Sequence, residues 1–208
     1  MLALFAALIA AVRTVDVRPI GPDGSRVGLA ALNQWWFERT GVRMLWYDIT
    51  DWLGILAILT ALGFALLGLV QLIRRKSFCK VDRSLYALGG TYLLTIACYI
   101  LFELCIINYR PVLMQGRLEA SFPSSHAMIV CAIMATALLE FRARLKNKAA
   151  KIAAETFCIG LMAVTVAGRA ISGVHWLTDI LGGLMLSGTL TLLYAAAAAR
   201  LSEQPEHR

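Results

Sequence analysis

The stretch WLGILAILTALGFALLGLVQLI, Trp52 to Ile73, runs for 22 residues without a charge and stops abruptly at Arg74, Arg75 and Lys76. About 30 Å of hydrocarbon at 1.5 Å per helical residue needs roughly 20 apolar residues, so this segment is a membrane-spanning helix. Working outward, the pattern repeats. Ser84 to Ile107 is a span marked only by Glu103 near its far end, and Ser125 to Phe141 is another, closed by Arg142, Arg144, Lys146 and Lys148. Ile152 to about Ile171 and Trp176 to Ala199 follow. Leu2 to Val12 is apolar but only eleven residues long and has no basic stretch before it. It makes a poor signal peptide and is too short to span alone, so a clipped or late-started first helix is expected. The fold expected is all-α: an integral membrane bundle of six transmembrane helices, the first one short, forming a single domain over residues 1–208.

Composition agrees. Of 208 residues, 59% are hydrophobic and 16% charged, the inverse of what a soluble domain needs to cover its surface. No room remains for a soluble catalytic domain, so any chemistry must be carried by helix ends and short loops. The net charge of +7 comes from short basic clusters between apolar runs, which suit anionic membrane lipids as partners and argue against nucleic acid. The five cysteines, Cys79, Cys98, Cys105, Cys131 and Cys158, show no CxxC spacing, and four lie inside apolar segments. They are expected as small core residues, not as disulfides or zinc ligands. The polar connection from 13 to 50 contains helically spaced Leu29, Leu32, Trp35, Trp36 and Phe37. This segment fits an interfacial helix in an extracytoplasmic loop, or a lid packed on the bundle.

Orientation follows from Lys and Arg, which are retained on the cytoplasmic side. The 74–83 and 142–151 loops hold five basic residues each, whereas 108–122 holds two and 168–175 one. The sparse loops are therefore expected outside, with both termini cytoplasmic. The polar residues that hydrophobicity cannot explain then gather on the outer side: Arg110, Ser124, Ser125, His126, Arg169, His175 and Asp179. Alternating helices bring these separate stretches to one membrane face. Two arginines match phosphate oxygens, and a helix starting near Ser125 aims its free N–H groups at the same region. Two histidines supply the nucleophile and the proton donor that a phosphate ester needs. Asp179, four residues after His175, is placed to orient it if both lie on one helix. Tyr109 and Trp176 are expected as interfacial anchors, Trp176 also as a possible border of the site. Glu140 and Glu155 are expected to be solvated or paired near the basic inner loop.

Arg110-Pro111, Pro123-Ser124-Ser125-His126, and Gly168-Arg169 with five residues to His175 and three more to Asp179 resemble the three motifs of the type 2 phosphatidic acid phosphatase (PAP2) superfamily. Those motifs usually read Lys-x6-Arg-Pro, Pro-Ser-Gly-His and Ser-Arg-x5-His-x3-Asp. The resemblance covers residues 103 to 179 as motifs and the six-helix layout over nearly the whole chain. It implies that His175 attacks phosphorus to give a phosphohistidine, activated by Asp179. It implies that His126 protonates the leaving group and then activates water, and that Arg110, Arg169, Ser124 and Ser125 hold the phosphoryl oxygens. No metal and no cofactor is expected. The soluble vanadate-dependent haloperoxidases share the anion pocket but not a chain this hydrophobic.

Three positions depart from the family pattern. Glu103 stands where the family has lysine, seven residues before Arg110; on one helix that is two turns, so a bridge to Arg110 or Arg169, or a bond to a substrate hydroxyl, is expected. Ser125 replaces glycine, and Gly168 replaces serine. The expected function is a cell-membrane phosphatase in phospholipid metabolism, acting on phosphatidic acid, phosphatidylglycerol phosphate or undecaprenyl diphosphate. Losing the lysine argues weakly against a substrate whose second phosphate needs its own cation, although Arg117 could serve. The alternatives are a catalytically silent lipid-phosphate binder, a lipid phosphotransferase, and, from composition alone, a small transporter or scaffold. Sequence leaves the choice of lipid and the oligomeric state open.

Overall fold

The computed structural model describes residues 1–203, and among these it is all-helical, without a β-sheet. Its seven α-helices are α1 (Leu2–Thr14), α2 (Ala30–Thr40), α3 (Met44–Arg75), α4 (Arg83–Leu104), α5 (Ser125–Arg144), α6 (Lys148–Ile171) and α7 (Leu177–Glu203). Helices α3 to α7 are each long and apolar enough to cross a membrane, and α1 is a shorter apolar helix. Trp52, Leu93 and Leu104 leave 70% or more of their surface uncovered. Surface of that kind, repeated along α3 and α4, is stable against lipid and not against water. The chain is a multi-pass membrane protein.

Several boundaries differ from the hydropathy reading: α5 runs three residues past Phe141, α6 begins four before Ile152, α7 ends four past Ala199, and two further differences bear on the site. Helix α3 begins at Met44, eight residues before the apolar run, because Trp46 and Thr50 pack against α6 and extend the helix past the hydrocarbon. Helix α4 stops at Leu104, where Cys105 leaves helical geometry, instead of running on to Ile107. Cys105 is accordingly exposed, not a core residue, as is Cys79, while Cys131 and Cys158 are buried; all five cysteines are free thiols.

Helix α5 forms the centre of the bundle. Ala127, Cys131, Ala132 and Ala137 give it small faces on which neighbours can approach closely, the usual basis of helix association in lipid. One apolar cluster, including Phe64, Leu88, Met134 and Tyr194, joins α3, α4, α5 and α7. A second, including Phe5, Val12, Phe122, Met128 and Leu190, ties α1 to α5 and α7, with Phe5 stacked on Phe122 at 6.0 Å. Helix α1, about 20 Å long, lies along α7 with Met1 beside Gly188, so Met1 sits partway along α7 and not at its far end. The C-terminus, also expected on the cytoplasmic side, lies outside the described residues.

At the basic end, Arg144 and Asp82 together tie α3, α4 and α5. The Arg144 guanidinium bonds Asp82 at 2.7 Å, Ser84 at 2.9 Å and the carboxylate of Glu140. Asp82 also accepts bonds from Gln71 at 2.8 Å and Arg75 at 3.0 Å. Glu140 is buried and takes a second bond from the hydroxyl of Tyr194, while Glu155 pairs with Arg142 at 2.9 Å. At the opposite end, α2 packs on the bundle. Buried Asn33 bonds Thr178 of α7 through both its side-chain nitrogen, at 3.0 Å, and its oxygen, at 3.2 Å, and Trp36 Nε1 donates to Ala170 O at 2.8 Å. Trp35, on the other side of α2, is exposed and carries Arg39 over its ring.

Candidate active site

The turn from Ser172 to Trp176, between α6 and α7, aims His175 into the protein. Gly173 makes it possible: its φ is +70°, and a Cβ there would lie 1.9 Å from the carbonyl oxygen of Gly41. Arg43 N donates to Ser172 O at 2.9 Å, fastening this turn beneath the α2–α3 link. Helix α7 then starts at Leu177. Asp179 closes its first turn by accepting from Trp176 N at 2.9 Å, in the manner of a capping box. His175 is therefore not on the helix with Asp179. Its Nδ1 still faces Asp179 Oδ2 at 3.6 Å, longer than a hydrogen bond, and Asn108 and Ser121 approach the same carboxyl. Trp176 is 2% exposed, donates from Nε1 to Tyr109 O at 2.8 Å and packs on Phe37. It is a buried strut, not the interfacial anchor that its place beside an apolar run implied.

Arg110 arrives from the α4–α5 connection, which folds back on itself. Tyr109 bridges Ala120, Arg110 N bonds Glu119 O at 3.0 Å, and Gln115 and Gly116 form the turn. Arg110 Nη1 lies 3.2 Å from His175 Nε2. A guanidinium only donates, so Nε2 carries its lone pair toward Arg110 and the ring proton sits on Nδ1, facing Asp179. Burial, then the charges of Arg110 and Arg169, push the imidazole of His175 well below its usual pKa. The arrangement holds a neutral imidazole with a defined free nitrogen.

The start of α5 lies against this group. Ser124 N donates to Asp179 O at 2.9 Å, linking α5 to α7, and Ser124 Oγ is buried without a hydrogen-bond partner. Arg169, fully buried at the end of α6, bonds Asp51 through Nη2 and leaves Nε and Nη1 buried without partners. His126 Nε2 is 3.0 Å from the same Asp51 oxygen, Oδ1. A groove lined by Tyr99, Phe102 and Glu103 of α4, and by Ser121, Phe122 and Ser125, leads to His175. All seven residues singled out for chemistry thus meet at one end of the bundle.

The sequence profile of the PAP2 superfamily matches residues 55–202. The chain belongs to the PAP2 superfamily. Its fold is similar to the crystal structure of a transmembrane PAP2-type phosphatidylglycerolphosphate phosphatase from Bacillus subtilis, with 18% sequence identity and a TM-score of 0.65 over 100% of this chain and 96% of that one. No curated protein matches the sequence.

Within this PAP2 member, Glu103 departs from expectation. Since α4 ends at Leu104, Glu103 and Arg110 do not share a helix face, and no bridge forms between them. Arg110 Nε is 3.1 Å from Glu119, and Arg169 is taken by Asp51. Glu103 is instead exposed at the groove. Gly168 also acquires a reason. A Cβ there would lie 2.5 Å from Thr50 Cγ2 and 3.1 Å from Trp46, so a serine does not fit against α3. Asp51, Glu119, Asn108 and Ser121 are the polar residues of this PAP2 site that the motifs do not include. Asp51 was accessible to the end-of-span argument, because it immediately precedes the apolar run from Trp52 at the same membrane face.

Proposed function

We propose that this PAP2 protein is a membrane phosphatase that hydrolyses a lipid phosphate or lipid diphosphate at the extracytoplasmic face of the cell membrane, through a phosphohistidine. One observation carries the reading. His175 Nε2 is held 3.2 Å from Arg110 Nη1, in a pocket where Ser124 Oγ and two nitrogens of Arg169 are buried with their hydrogen-bonding capacity unspent. Such donors are costly to bury without an anion to receive them.

In the first step His175 Nε2 attacks phosphorus as the bond to the leaving oxygen breaks, and His126 gives that oxygen a proton. Asp179 stabilises the cationic ring as the N–P bond forms. Arg110, Arg169, Ser124 and Ser125 hold the equatorial oxygens, binding most strongly when charge spreads over them. In the second step water attacks the phosphohistidine, His126 takes its proton, and inorganic phosphate departs. Lipid is the favoured substrate class because the groove to His175 begins at Tyr99 and Glu103, which are exposed on α4. An amphiphile diffusing in the bilayer can present its headgroup there and keep its chain in lipid. Phosphatidylglycerol phosphate, the substrate class named for the Bacillus subtilis protein, is one candidate beside phosphatidic acid, diacylglycerol pyrophosphate and undecaprenyl diphosphate.

Purified protein incubated with these four lipids tests the proposal. Phosphate release is expected from at least one, falling by roughly three orders of magnitude in His175→Ala. It is expected to persist in Lys146→Ala, a change in the exposed α5–α6 turn. Binding without release from any lipid would favour a silent binder, and phosphate passed to an added alcohol in preference to water would favour a transferase.

A further inference from the structure

Asp51 lies outside all three motifs, on a helix that contributes none of their residues, yet it contacts two of them. Its Oδ1 is 3.0 Å from His126 Nε2 and accepts a bond from Arg169 Nη2. Two further features of the same helix converge on this point. One turn beyond Asp51, Gly54 lies under the His126 ring, where a Cβ would already be in contact with Cδ2 at 3.4 Å and Nε2 at 3.6 Å. One residue before Asp51, Thr50 occupies the space that a side chain at position 168 would need. The loss of the family's serine at 168 is thus matched by a close approach of α3 to α6, and that approach sets Asp51 opposite Arg169. Tyr47, a turn earlier, completes the seat with its ring 4.5 Å from the Arg169 guanidinium.

We propose that Asp51 is the positioning residue of the general acid, holding His126 through Nε2 so that Nδ1 exchanges the proton with the leaving oxygen. The proposal rests on the phosphatase reading above. A carboxylate can only accept, so it fixes a proton on Nε2 in both charge states of the ring. Nδ1 is buried and has no hydrogen-bond partner, which leaves it as the nitrogen that changes protonation. In the first step the proton on Nδ1 passes to the leaving oxygen, and the neutral ring keeps N–H on Nε2. In the second step Nδ1 accepts a proton from water, and the ring returns to its starting state. The other charged or titratable groups near this ring are Arg169 from α6, Arg110 from the α4–α5 connection and His175 from the α6–α7 turn. Burial and the two guanidiniums oppose a positive charge on this ring, and Asp51 is the acid that counters them. Two histidine–carboxylate pairs of different parentage then flank the phosphoryl site: His175 with Asp179 for attack, and His126 with Asp51 for departure.

The test uses two probes that differ in their need for a general acid. The alkyl ester dioctanoyl phosphatidic acid releases a poor leaving group, whereas p-nitrophenyl phosphate releases an anion that is stable at neutral pH. The quantity read is kcat/KM, which reports only steps up to cleavage of the ester. Asp51→Asn is expected to lose roughly 10- to 100-fold on the alkyl ester and less than about threefold on the aryl ester. The ratio of the two values does not depend on the fraction of protein correctly folded, so partial unfolding cannot imitate the result. Asp51→Glu, which keeps the charge, is expected to retain the wild-type ratio even if its overall rate falls. Equal losses on both probes in Asp51→Asn, or no loss on either, overturn this inference while leaving the phosphatase reading intact. Wild-type protein that releases phosphate from neither probe and from none of the four lipids above, or His175→Ala protein that still cleaves them, overturns the phosphatase reading and this inference with it; if another of the four is the lipid cleaved, it replaces phosphatidic acid as the probe with the poor leaving group.

Discussion

Glu103 borders the groove to His175, and among the described residues no cation is paired with it. Where the family pattern supplies a positive charge to a phosphate, this chain presents an acceptor-only carboxylate, suited to a hydroxyl-bearing headgroup and unsuited to a second phosphate. We therefore expect Glu103→Lys to shift the ratio of kcat/KM for diacylglycerol pyrophosphate over phosphatidylglycerol phosphate upward by about tenfold, equivalent to about 1.4 kcal/mol. A uniform gain on every lipid would show instead that the acid is only a defect. His175, Asp179, Arg110 and Arg169 were legible as residues in the sequence because uncompensated polar groups beside apolar runs are expensive. Their partners were not. Whether Glu103, Glu119 or Asp51 faces an arginine depends on where α4 ends and how closely α3 approaches α6, and neither follows from spacing alone.

At the end away from the site the elements are joined by a cluster of charged and amide side chains. Asp82 stands before α4 and receives Gln71 and Arg75 from α3 and Arg144 from α5. Partial burial opposes its ionisation, but these donors outweigh it and hold the carboxyl below its usual value of 3.8. The group is about one-third exposed, so solvent screening limits its contribution to about 1 kcal/mol. Asp82→Asn is expected to lower the melting temperature in detergent by about 2–4 °C at pH 7. A carboxyl with a depressed native pKa stabilises above the unfolded value, and that stability is lost as pH falls through the native value. The two melting temperatures should therefore converge as pH is lowered from 7 toward 3; a constant gap would mean the effect is not electrostatic. At this scale the sequence placed every long helix, since a charge-free apolar run has no other stable form in lipid. It misplaced several helix ends, two of them beside the site. The start of α3 and the end of α4 lie beyond the hydrocarbon, where packing on Gly168 and the fold-back around Arg110 decide, not hydropathy.

For the whole molecule, the imbalance of Lys and Arg between the two ends of the bundle predicts an extracytoplasmic site. Gln115 is exposed at the tip of the fold-back that carries Arg110, which makes it a direct probe of this. A cysteine substituted there in a Cys105→Ser background, which removes the exposed native thiol at the same end, is expected to react with a membrane-impermeant thiol reagent in intact cells, scored against the exposed native Cys79 at the other end. Reaction at position 115 only after lysis would reverse the orientation and put the site in the cytoplasm. By itself, the sequence determined that this chain is an all-helical membrane bundle and that its three PAP2 motifs gather at one end of it. Both follow from local rules: hydrocarbon accepts only backbones that satisfy their own hydrogen bonds, and helices that cross in alternation bring alternate loops to the same side. Only the tertiary structure decided which carboxylate faces which cation, that α2 docks on the turn beside His175, and that α3 brings Asp51 to His126. Those contacts depend on helix approach at the scale of one side chain, a distance set by Gly54 and Gly168 together with the residues packed against them, which no single stretch of sequence contains.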